Sequence, residues 1–62
     1  MAYIVTVYYL NGSIARYTGV AECNLPSSKS PQYEIKMENA TDYINKDTVR
    51  MIHCEVDTAE VQ

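Results

Sequence analysis

The strongest constraint on this chain is a turn. Between two runs rich in β-branched and aromatic residues, Tyr3 to Leu10 and Ser13 to Cys23, stands Asn11-Gly12, the dipeptide that most strongly marks a β-hairpin. The central residues of a type I′ turn both need positive φ, which Gly adopts freely and Asn tolerates. A two-residue loop pairs positions symmetrically, which sets Leu10 opposite Ser13, Tyr9 opposite Ile14, Val7 opposite Arg16, Val5 opposite Thr18 and Tyr3 opposite Val20. In that register one face carries Tyr3, Val5, Val7, Tyr9, Ile14 and Val20, with Arg16 and Thr18 among them. The other carries Ile4, Tyr8, Leu10, Ala15, Tyr17, Ala21 and Cys23, with Thr6 and Gly19. Neither face is polar, whereas a hairpin covering a core on one side alternates apolar with polar. The expectation is a sheet that curls into a small barrel, or a second copy that covers the spare apolar face.

Length sharpens that expectation. At 62 residues the chain reads as one domain, 1–62, and folding at this size buries only about 60% of the surface exposed by the unfolded chain. Disulfides, a metal or oligomerisation usually make up the difference. The two cysteines, Cys23 and Cys54, allow at most one intrachain bridge, and no secretory apolar region follows Met1. Reduced thiols and a cytoplasmic location are therefore expected, and self-association becomes the expected source of stability. No apolar run approaches the roughly 20 residues that cross a bilayer, so no membrane partner is expected. A formal charge of −3 disfavours indiscriminate binding to phosphate backbones. Six tyrosines supply every aromatic ring, a choice that suits strands and half-wet interfaces alike.

Beyond the hairpin, residues 24–31 gather two prolines and several turn formers into a loop. Gln32 to Glu38 alternates, with Tyr33, Ile35 and Met37 on one side, and reads as a half-buried strand. Asn39-Ala40 makes a turn into a short strand, Thr41 to Asn45. A tight or 3₁₀ turn capped by Asn45 or Asp47 then leads into a last strand, Val49 to Val56. On that strand Ile52, Cys54 and Val56 share one face, and Val49, Met51 and His53 the other. Residues 57–62 read as a frayed polar tail. No stretch carries helical periodicity.

Catalytic chemistry finds no foothold. His53 and Cys54 are strand neighbours and leave opposite faces, so they cannot pair as base and nucleophile. Close-spaced ligand pairs for zinc are missing, so no metal is expected. Glu34 and Glu38 flank Lys36 on a polar strand face, where neither burial nor a close like charge would raise a carboxylate pKa. With no glycine-rich phosphate loop either, no cofactor is expected. Gly19, inside a strand run, marks a bulge or sharp bend.

Two stretches carry a family resemblance. Val5-Thr6-Val7-Tyr8-Tyr9-Leu10-Asn11-Gly12 resembles the opening strand and turn of the Sm-like small β-barrels, and Ile44 to Ile52 resembles their closing motif of short strand, one-turn connection and final strand. The resemblance implies an all-β chain: a five-stranded antiparallel small barrel or strongly bent sheet, SH3/Sm-like in type. It also implies RNA contact at Lys46, with Asp47 standing where the bacterial branch has histidine. The chain is equally similar to short β-rich proteins of bacteriophages.

The functional expectation is a non-enzymatic protein that self-associates and binds another macromolecule, as a phage-type accessory or inhibitory factor. Free sheet edges open to β-augmentation support it, and the expected partner surface is Tyr8, Tyr9, Arg16, Tyr17 and Lys29. The alternative is an Sm-like ring that binds single-stranded RNA or a nucleotide through Asn45 and Lys46.

Overall fold

The structure, a computed structural model, describes residues 2–58. Five strands follow one another, β1 (Tyr3–Tyr9), β2 (Ile14–Asn24), β3 (Gln32–Met37), β4 (Thr41–Asn45) and β5 (Val49–Val56), with a 3₁₀ turn at Lys46–Thr48 between the last two. All pairings are antiparallel within one sheet of order β4-β3-β2-β1-β5. The sheet is strongly bent and does not close into a barrel, which leaves β4 and β5 as free edges. The short strand, 3₁₀ turn and final strand expected over residues 41–56 are present. Residues 59–62 of the expected frayed tail lie outside the described residues, and the Asp57 amide donates to the Ala2 carbonyl at 2.9 Å.

The bend originates in β2, which at 11 residues is the longest strand. Its first half pairs with β1 and its second half with β3. Between Tyr17 and Val20 it advances three residues while β1 advances two, and Gly19, at φ +64°, absorbs the extra one. Between Val20 and Glu22 it again gains a residue on β3, at Ala21. Each bulge reverses the in–out alternation and adds local twist. The residues of β2 that reach the core are therefore Ala15, Tyr17, Val20 and Cys23, at spacings no single period would select.

The hairpin departs from the expected register for a reason of the same kind. Within the turn only Gly12 has positive φ (+92°), and among the described residues no non-glycine residue does, so a type I′ turn is excluded. The Gly12 amide donates to the Tyr9 carbonyl at 3.0 Å and the Tyr9 amide to the Ser13 carbonyl at 2.9 Å. This is a three-residue loop closed by one left-handed glycine. Asn11 contributes its side chain instead of its backbone: Oδ1 accepts from the Ser13 amide at 2.9 Å and from the Ser13 hydroxyl at 2.6 Å. Tyr8 consequently faces Ile14, Val7 faces Ala15 and Val5 faces Tyr17. That one-residue shift corrects the expected faces: Ala15 and Tyr17 join Val5 and Val7 inside, while Ile14 and Arg16 turn outward. A third bulge, at Arg50, lets β5 gain a residue on β1 between Met51 and Val49. Val49 then packs on the core beside Ile52, not on the face of Met51 and His53 as expected.

The core is small. Val5, Val7, Val20 and Ile35 are fully buried and Ile44 nearly so, each contributing about 1.5–3 kcal/mol by removal from water. Half-buried Tyr3, Tyr9, Tyr17 and Tyr33 surround them. Among the described residues no helix is long and apolar enough to cross a membrane.

Candidate functional site

The outward face of β2, β1 and β5 follows from the registers just given. Directly opposed residues of an antiparallel pair point the same way, so Ile14, Tyr8 and Met51 form one row across three strands and Arg16, Thr6 and His53 the next. Ile14 is 62% exposed and Met51 48%, and Leu10 at the hairpin tip reaches 65%. Arg50 lies over the Tyr8 ring, its guanidinium carbon 5.7 Å from the centroid, close enough for a cation–π attraction. Neither Arg16 nor Arg50 makes an ion pair among the described residues. This half of the sheet presents an apolar strip flanked by uncompensated positive charge.

The other half is chemically self-contained. Asn24 Nδ2 donates to Glu22 Oε2 and to Glu34 Oε1, both at 2.7 Å, and Lys36 Nζ lies 3.7 Å from Glu22 and 3.6 Å from Glu34. The Asn24 amide, with help from Lys36 and the Tyr43 hydroxyl, holds the Glu34 carboxyl below its ordinary range. Glu34 is thus held as a settled anion.

The expected partner residues separate in space. Tyr8 and Arg16 lie on the outward face, but Tyr9 and Tyr17 turn inward against the core. There burial, then the Asp42 carboxylate, then Tyr9 push the Tyr17 phenol up. Because Asp42 belongs to β4 and Tyr17 to the first half of β2, this contact links the two arms of the bent sheet. Lys29 belongs to a different place: its amide donates to Ser27 Oγ at 3.3 Å inside a turn closed by reciprocal Ser27–Ser30 backbone bonds.

Asn45 and Lys46 stand at the start of the 3₁₀ turn. Asn45 Oδ1 accepts from the Asp47 amide at 2.8 Å, the cap the sequence suggested, and Lys46 Nζ lies 3.7 Å from Asp47 Oδ1. A shallow groove of about 590 Å³ runs between Lys46 and Pro26, Ser27, Ser28 and Pro31. Cys23 and Cys54 are free thiols whose strands share the inner face; burial and then Cys54 raise the Cys23 pKa. Among the described residues no group of three His, Cys, Asp or Glu side chains could hold a metal ion.

Ile14, Met51, Arg50 and Leu10 escaped the sequence reading of the surface. The two-residue turn placed Ile14 on the face of Val5 and Val7, and the cross-strand pairing of β1 with β5 that aligns Met51 with Tyr8 has no local signal. No family model, curated protein or solved structure matches the chain.

Proposed function

We propose that this is a non-enzymatic binding protein that self-associates and acts by occupying the surface of another protein, as an accessory or inhibitory factor. The observation that carries the reading is the Ile14, Tyr8 and Met51 row with Arg16 and Arg50 beside it. Exposed apolar side chains clustered next to unpaired guanidinium groups lose little on desolvation and gain from a complementary surface. An acidic partner segment with its own apolar row fits that chemistry, and arginine and tyrosine are the residues on which interface energy concentrates.

The test is affinity capture from host lysate with wild type and with the double variant Ile14→Ser, Arg16→Glu. Both positions are exposed, so circular dichroism should be unchanged. A protein retained by wild type and lost with the variant supports the reading. An identical retained set refutes it, and so does retention that nuclease abolishes, which would favour RNA.

A further inference from the structure

The eight-residue edge strand β5 is protected by neither lysine nor proline, two devices that commonly blunt a sheet edge. Its single bulge lies at one end, at Arg50, and from Met51 to Val56 the ladder against β1 is regular. The direction of the free backbone groups can be worked out. The Asp57 amide donates to the Ala2 carbonyl, in register with every pair from Tyr3↔Val56 to Tyr8↔Met51. Hydrogen-bonded and non-bonded pairs alternate along an antiparallel ladder, so Glu55, His53 and Met51 bond to β1. The amides and carbonyls of Ile52, Cys54 and Val56 point away from it, toward the open edge. The inner-face side chains of Cys54 and Val56 are also uncovered, Val56 being 42% exposed.

We infer that β5 pairs with β5 of a second copy about a twofold axis at Cys54, which joins two sheets edge to edge. The inference rests on the self-association in the function proposed above, and it names the surface. A twofold axis normal to the sheet keeps inner faces together, so only registers that pair even-numbered with even-numbered positions are allowed. Centred on Cys54, the register bonds Ile52 to Val56 of the second copy, Cys54 to Cys54 and Val56 to Ile52, so all six outward groups on each strand find partners. It also sets His53 opposite Glu55 on the outer face, twice. Centred on His53, the register would oppose two histidines and push Val56 against the bulge at Arg50. The two His53–Glu55 pairs and the complete ladder select the Cys54 axis.

The test uses Cys23→Ala, which leaves Cys54 as the sole thiol. Opposed Cα atoms of a bonded antiparallel pair lie about 5.5 Å apart, within disulfide reach. Diamide takes two electrons and two protons from the facing thiols, becoming the hydrazine as the S–S bond forms. A disulfide-linked dimer should be the main product, at least tenfold faster than in Cys23→Ala, Cys54→Ser, His53→Cys, where the thiol faces Glu55. Glu55→Lys should weaken the dimer about tenfold in sedimentation. A sedimenting dimer that crosslinks no faster through position 54 than through position 53 overturns this inference and leaves self-association standing. A monomer at every concentration removes both.

Discussion

Gly19→Ala isolates the backbone strain that bends the sheet. At φ +64° Gly19 occupies the left-handed region, which costs a residue with a Cβ about 1–2 kcal/mol. An added Cβ would meet no atom within 4 Å, so no steric penalty joins the conformational one. Alanine also restricts the unfolded chain, which returns roughly 0.4–1 kcal/mol. The net loss should be about 1 kcal/mol. In a domain this size that lowers the melting temperature by roughly 4–8 °C, out of a total stability of roughly 3–9 kcal/mol. Urea titration followed by tyrosine fluorescence and circular dichroism gives the value. Gly19→Asn, which tolerates positive φ better, should lose about half as much. Two results would refute the reasoning: Gly19→Ala indistinguishable from wild type, or a loss of roughly 3 kcal/mol or more, the scale of emptying a core position.

Ile35→Ala removes the largest fully buried side chain at a cost of roughly 2–5 kcal/mol, and the variant should show no cooperative thermal transition at 37 °C by circular dichroism. Tyr17 titrates above its ordinary 10.0, so its contribution to stability is intact below that value and fades as pH rises through the folded-state pKa. Tyr17→Phe should flatten this alkaline slope in urea midpoints. Glu34 is shifted the other way, below 4.5, so its contribution is present above 4.5 and disappears on acidification. Asn24→Ala, which removes the first cause of the shift, should reduce the pH dependence of the urea midpoint on the acid side.

What could be read from the sequence was what neighbouring residues decide among themselves. The alternation of Tyr33, Ile35 and Met37 placed β3, the turn formers after Glu38 and Thr41 bounded β4, and Asn45 announced its own cap. Gly19 betrayed its bulge because only glycine enters that backbone region cheaply. Register was different. Asn11-Gly12 serves a two-residue or a three-residue loop equally well, and the choice falls to the bond that the Ser13 amide donates to the Asn11 side chain. The bulges at Ala21 and Arg50 carry ordinary residues and answer to partners distant in sequence. The candidate surface inherits that difficulty. Tyr8 and Arg16 stood out locally, but only the full register gathers Ile14 and Met51 beside Tyr8 and sends Tyr9 and Tyr17 to the interior.

The place of β1 between β2 and β5 has a consequence for synthesis. Of the five strands it is translated before the others, yet one flank stays open until Val49–Val56 has emerged. Pairings this distant along the chain are slow to form, and meanwhile the nascent polypeptide displays Val5 and Val7 beside an unpaired strand. A ribosome stalled after the 3₁₀ turn would hold an aggregation-prone fragment, so this sheet is complete only when β5 arrives.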